Sequence, residues 1–386
     1  VLSPIYHGKA TASKGVRHSD MKRGIALTGG GSGGHVFPAL AVWEALPAAY
    51  RRDGFWIGSR NGMEKRIVVA YGIPFRGIPA GKLRRYLSLK NVLDLFNVLA
   101  GILMSFFIFL KRRPRVLFSK GGYVTVPPVL AARFLGIPVV THESDFDPGL
   151  ATRINSRFAA RILVSYAETA RMFPAPLRSR IVTTGNPVRQ AFFHGDPNAG
   201  KALVGCPPER PLVLVLGGSL GARSINRLIR AIRDKLTRTV FLVHQTGKAD
   251  APVEPDPPFA FSRAFFTDEL PHLLAAATLV ICRAGANTLW ELAASGRPSL
   301  LIPLPAVQSR GDQIENAALF AGAGAGVVLP EAEATPERLL AMVENLLDNK
   351  ASLRRMGDAA RRLGRENASQ RIAEELMACA SPARRG

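Results

Sequence analysis

The apolar positions of the chain fall into short runs separated by amphipathic stretches. Residues 24–27, 55–58, 116–118, 139–141 and 162–164 are runs of three to four mainly apolar residues. Between them lie helix-like stretches at 39–46, 61–71 and 127–135, and residues 73–75 begin a further strand. Strands alternating with helices predict parallel β/α units with helices on both faces of a sheet. Residues 181–184 lead into a Gly-Asn-Pro turn, and the pattern then restarts. Residues 211–216 read as a buried strand, 224–236 as a helix, and further units fall at 240–245, 279–282, 285–295, 299–302 and 327–329. Residues 336–376 read as helical with Arg-rich faces, and residues 194–211, rich in Gly and Pro, as a linker or loop. The expected fold class is therefore α/β: two parallel-sheet domains facing each other across a cleft. The first spans 21–188 and the second 189–366, and a helix from about 367 to 386 is able to pack back on the first domain. Residues 1–20 lack the apolar centre of a signal peptide and are expected to be a disordered or non-native tail ahead of Met21.

Length supports the two-domain reading, because 386 residues exceed what one ordinary core holds. Apolar residues make up 47% of the chain, enough for a large core. Lys and Arg number 51 against 29 Asp and Glu, a net charge of +22. That surplus calls for an acidic partner: nucleic acid, anionic lipid or a phosphorylated substrate. No interleaved basic–aromatic run favours nucleic acid. Cys206, Cys282 and Cys379 are scattered without metal spacing, which fits a reducing compartment and no disulfide framework.

Three glycine turns follow predicted strands: residues 29–34, 121–122 and 217–221. Glycine lets a backbone approach a ligand closely, and the helix start behind each turn favours an anion. The first turn is neither a dinucleotide fingerprint nor a P-loop. It carries His35, which titrates near neutral pH, although a helix-start histidine bonded to a carbonyl is the plainer reading. Glu291 lies on a predicted helix among small residues and can accept both hydroxyls of a ribose; a solvated helix face is its ordinary fate. His142, Glu143 and Asp145 close a strand and can hold polar substrate groups or a turn network. Residues 308–316 read as a cleft rim.

Residues 82–115 pose a membrane question. The sixteen residues 95–110 are apolar except for Asn97 and Ser105, and basic clusters stand at both ends. A buried helix explains the apolar run but not its flanks. A span needs about 20 residues. An interfacial helix on anionic lipid explains both features.

Residues 28–38, Gly121-Gly122-Tyr123, His142-Glu143 with Pro148-Gly149, residues 185–189, 217–223, 244–248 and 282–291 occur in the order seen in the MurG family, the N-acetylglucosaminyltransferases of peptidoglycan synthesis. The chain resembles that family from about residue 23 to 375. The resemblance implies two Rossmann-like domains (a GT-B architecture) and inverting transfer of N-acetylglucosamine from UDP-GlcNAc to the C4 hydroxyl of the muramyl sugar of lipid I, giving lipid II. It implies no cofactor and no required metal, and a peripheral place on the cytoplasmic side of the plasma or inner membrane, held to anionic lipid through residues 82–115. It places Ser32, Gly33, Gly34, His35, Tyr123, Arg189, Ser219, Glu291 and Gln313 at donor or active-site positions. Ser219 and glycine-loop amides would bind the diphosphate, the backbone at Thr267 would read uracil, and Glu291 would hold the ribose. His35 is the expected general base, with Asp145 as the alternative. The sequence departs from the family's usual Asn at Asp145, and from its frequent Gln pair at Asp312-Gln313. Those departures keep open a related transfer to another lipid, such as a diacylglycerol.

Overall fold

The computed structural model describes residues 24–81, 89–218, 221–247, 250, 257–307, 311–364 and 367–381, with the side chains of residues 89–93 outside that description. The expected tail at residues 1–20 and the basic cluster at 82–86 therefore lie outside the described residues.

Two fully parallel sheets form the frame. The first has seven strands: β1 (Ala26–Thr28), β2 (Phe55–Ser59), β3 (Phe75–Ile78), β4 (Leu117–Ser119), β5 (Val139–Glu143), β6 (Arg161–Val164) and β7 (Ile181–Thr183). Their spatial order is β3-β2-β1-β4-β5-β6-β7. The second has six: β8 (Leu212–Leu216), β9 (Phe241–Gln245), β10 (Ala260–Arg263), β11 (Leu279–Cys282), β12 (Ser299–Leu301) and β13 (Gly326–Val328), in the order β10-β9-β8-β11-β12-β13. Both orders reverse beside the first strand of the sheet, the crevice where doubly wound sheets bind ligands.

Burial on both faces explains why the strands read as continuous apolar runs. In the first sheet Leu27, Trp56, Phe118 and Leu163 pack on one face, while Ala26, Ile57, Leu117 and Ile162 pack on the other. The helix Ala368–Ala380 joins the first of these cores: Ile372, Ala373 and Leu376 are fully buried there, beside the helix Gly33–Ala45. Ser369 Oγ donates to the Val188 carbonyl at 3.0 Å, fastening the returning chain at the domain junction.

One expectation fails. Residues 194–211 are not a plain linker, because they contain the helix Pro197–Val204. The same glycines and prolines that suggested a loop serve as helix punctuation. Asp196 caps the helix by accepting from Asn198 N at 2.8 Å, Pro197 takes the first turn, and Gly205 ends the helix with φ +72°. Gly200 is there for proximity, since a Cβ would sit 2.1 Å from the His272 carbonyl oxygen of the helix Leu270–Ala276. Edge strand β10, only four residues long and just after a proline-rich stretch, left no mark in the apolar pattern.

The apolar run at 95–110 lies in a single helix, Leu89–Arg112. Gly101 comes so close to the body that a Cβ would meet the Pro79 carbonyl oxygen at 2.4 Å, and Phe109 is fully buried. The outer face carries Leu95, Phe96, Leu99, Leu103 and Phe107, each more than half exposed. By length and composition alone its part Asp94–Arg112, with mean hydropathy 1.7, is long enough to cross a membrane, and 17% of that window is buried.

Candidate active site

The first glycine turn is clamped from below. Glu64, fully buried, accepts from Ser59 N at 2.8 Å and from Gly31 N at 3.4 Å, and Trp56 Nε1 donates to the Gly29 carbonyl at 3.2 Å. Gly31 takes φ +83°, and a Cβ there would touch the Tyr123 ring at 2.9 Å. The turn thus delivers Ser32, Gly33, Gly34 and His35 to the start of the helix Gly33–Ala45 in one defined place. The His35 ring lies against the second glycine turn, where a Cβ on Gly122 would stand 3.0 Å from its Cδ2.

A cleft of about 630 Å³ opens between the carboxyl edges of the two sheets. Ser32, Gly33, Gly34, His35 and Asp145 line it from the first domain. Arg189, at the junction, and Thr267, Glu291 and Gln313, from the second domain, complete it. Tyr123 does not line this cleft; its ring supports Gly31 from behind. Ser219 lies outside the described residues, but its neighbours Gly217, Gly218 and Gly221 border a second recess of about 780 Å³. The two spaces share Gly218, Gly285, Thr288 and Gln313, so they meet at the third glycine turn. Gln245, at the end of β9, holds that region together: its Oε1 accepts from Phe266 N at 2.9 Å and its Nε2 donates to the Gly218 carbonyl at 3.4 Å.

A chain in Treponema denticola named UDP-N-acetylglucosamine–N-acetylmuramyl-(pentapeptide) pyrophosphoryl-undecaprenol N-acetylglucosamine transferase is 45% identical, over 91% of this chain and 96% of that one. A like-named chain of Clostridium kluyveri is 40% identical over 83% of this chain and 90% of that one. The crystal structure of Acinetobacter baumannii MurG superposes with a TM-score of 0.68 at 29% identity, covering 92% of this chain and 99% of that one. The chain belongs to the MurG family. It matches the glycosyltransferase family 28 N-terminal domain over residues 25–164 and the C-terminal domain over 212–376. The calicheamicin glycosyltransferase CalG4, 15% identical with a TM-score of 0.66 over 94% of this chain and 100% of that one, shares the two-sheet fold.

Two carboxyls of this MurG-family cleft are displaced from their ordinary range. Burial, then the neighbouring Glu143 and Asp312, push Asp145 up to about 7, against a hydrogen bond from Asn316 and the charge of Lys120. Burial pushes Glu291 up to about 7 as well, partly offset by Arg189. Arg189 itself lies over the Phe37 and Phe192 rings and reaches Asp268 at 3.9 Å. His142 is a framework residue: fully buried, it donates from Nε2 to the Gly185 carbonyl at 2.9 Å, and burial with nearby Lys120 holds it neutral. Glu143 accepts from the backbone amides of Ser144, Asp145 and Gly149, so the turn-network reading describes it.

One sequence feature points toward metal chemistry, the Asp-x-Asp stretch Asp145-Phe146-Asp147. Asp147 is ion-paired with Arg153 at 2.6 Å and Asp145 accepts from Asn316 at 3.2 Å. Among the described residues no group of three or more His, Cys, Asp and Glu side chains is placed to hold a metal.

The partners of several polar residues of the cleft floor escaped the sequence reading, Asn316 among them although it ends the segment read as a cleft rim. Asn316 joins the domains, donating to Asp145 and accepting from Phe146 N at 3.2 Å. Lys120, Ser144, Asn186 and Asn287 form a second bridge. The signals were faint: a lysine wedged between a strand and a glycine pair, and asparagines inside Gly-Asn-Pro and Gly-Ala-Asn-Thr turns.

Proposed function

We propose that the chain transfers N-acetylglucosamine from UDP-GlcNAc to the C4 hydroxyl of the muramyl sugar of lipid I, with inversion, forming lipid II for the peptidoglycan wall. One observation carries the reading: 45% identity over nearly the whole of an enzyme bearing that transferase name, in a chain whose two sheet edges frame a cleft. UDP-GlcNAc lies mainly on the second domain. The backbone at Thr267 reads uracil, Glu291 holds the ribose hydroxyls, and Ser219 with the third glycine turn takes the diphosphate. The acceptor enters from the first domain.

The acceptor oxygen bonds to the anomeric carbon as the bond to UDP breaks, and UDP leaves with the electron pair. His35 removes the hydroxyl proton, a role worth about 10²–10⁴ in rate. Asp145 is the alternative base, and a carboxyl at about 7 is poised for it. Loop amides, helix N-termini and Arg189 meet the charge that develops on UDP.

The exposed face of the helix Leu89–Arg112, with exposed Lys111 and Arg112 in its last turn and Arg113 just after it, holds the enzyme peripherally on anionic lipid at the cytoplasmic side of the plasma or inner membrane. The basic surplus is assigned to lipid and diphosphate, not nucleic acid. The test offers labelled UDP-GlcNAc with a lipid I analogue and, separately, with diacylglycerol. Label in the lipid I analogue is expected. Label in diacylglycerol alone would replace the acceptor, and no transfer to either would reject the reading.

A further inference from the structure

Lys120 follows β4 and is 1% exposed, and beyond its pull on the protons of Asp145 and His142 its ammonium donates into the cleft floor. Its Nζ donates to Ser144 Oγ. Ser144 Oγ donates to Asn186 Oδ1 at 2.8 Å, Asn186 Nδ2 to Asn287 Oδ1 at 2.8 Å, and Asn287 Nδ2 to the Gly34 carbonyl at 2.9 Å. That carbonyl belongs to the peptide that carries His35 N. The path leaves the first domain at the Gly185-Asn186-Pro187 junction, touches the helix Ala286–Ser295 of the second, and returns to the first glycine turn.

We propose that Lys120 is a positioning residue for the transfer reaction, supplying the first donor of a hydrogen-bond relay that crosses the cleft floor and ends on the peptide of His35. The role rests on the transferase reading; the relay does not. An ammonium has three donors and no acceptor. Ser144 accepts from Lys120 and gives its one proton to Asn186 Oδ1, and the Gly34 carbonyl at the far end, which only accepts, demands the same order. Asn186 must then present its amide nitrogen to Asn287, and Asn287 its own to Gly34. A side chain at position 120 without a donor would leave Ser144 one partner short and loosen the chain of bonds that ends on the Gly34 carbonyl. Glu143 and Asp145 lie close enough to favour the charged lysine, opposing the burial that draws it down to about 8. At the buried end of the relay, where Lys120, Ser144 and Asn186 meet, each bond strengthens its neighbours, and a broken link leaves polar groups unpaired.

The experiment is a double-mutant cycle of Lys120→Met and Asn287→Ala in the full chain, two residues linked through Ser144 and Asn186. It reads kcat, KM for UDP-GlcNAc and the unfolding midpoint. Each single variant is expected to lower kcat about ten- to hundredfold, with KM changed by less than about threefold and the double variant no worse than the poorer single. Losses in kcat that multiply, or midpoint shifts that add, overturn the relay. Midpoint coupling with kcat unchanged overturns the positioning role. The midpoint needs no substrate, so an inactive wild-type chain with coupled midpoints rejects the transferase reading while the relay stands. Should Lys120→Met fail to fold, Ser144→Ala cuts the same path one bond further on and takes its place in the cycle.

Discussion

At the floor of the cleft Asp145 lies between two carboxyls and one ammonium, and its proton is held accordingly. The folded chain keeps that proton up to about 7, whereas an unperturbed aspartate releases it near 3.8. Between those values the native state binds more protons than the unfolded one, so this group's contribution to stability falls as pH rises. Asp145→Asn removes that dependence while retaining an acceptor for Asn316. The midpoint of the wild type, relative to the variant, is expected to decline from about pH 4 to about pH 7; a constant gap would count against the raised carboxyl. His35→Ala is expected to cut turnover about 10²–10⁴-fold with UDP-GlcNAc affinity nearly unchanged, measured by separate turnover and binding assays. Near-normal turnover would pass the base role to Asp145. His35 was legible in the sequence because a histidine in a glycine loop stands out. Asn287 and Asn316 were not, because an asparagine's role depends on which partner the other domain brings within hydrogen-bond reach.

Among elements, the helix Leu89–Arg112 divides its work between two faces. Phe109, Gly101 and Ser105 are buried against the body, while Leu103 and Phe107 stand 58% and 60% exposed. Burying such a side chain in lipid is worth about 1.5–3 kcal/mol. The pair Leu103→Asp and Phe107→Asp is therefore expected to lower binding to phosphatidylglycerol-containing vesicles at least about tenfold, while soluble UDP-GlcNAc binding persists. Co-sedimentation decides it, and unchanged binding would remove this helix from the membrane contact. The helix Pro197–Val204 shows the opposite case, an element concealed by its own composition. Gly200→Val would drive side-chain atoms into the His272 carbonyl, and a loss of about 1–3 kcal/mol is expected in denaturant unfolding. The sequence displayed the glycine, but only the neighbouring helix reveals that it marks close packing and not a turn.

Across the whole molecule the chain closes on itself. The helix Ala368–Ala380 comes from the far end of the sequence and completes the first domain's core, with Ile372 and Leu376 fully buried. Ending the chain at residue 366 should uncover that core, lowering the unfolding midpoint and exposing apolar surface to a hydrophobic dye; an unchanged midpoint would show that the contact contributes little. The sequence by itself determined the α/β class, two sheets, three glycine turns at their edges and the family, because these depend on local period and on motif order. The parallel strand orders, the pairing of Asn186 with Asn287 and of Asp145 with Asn316, and the charge state of the cleft carboxyls were decided by tertiary structure alone. Each depends on groups far apart in the chain meeting where water is excluded, and no local pattern records which groups those will be.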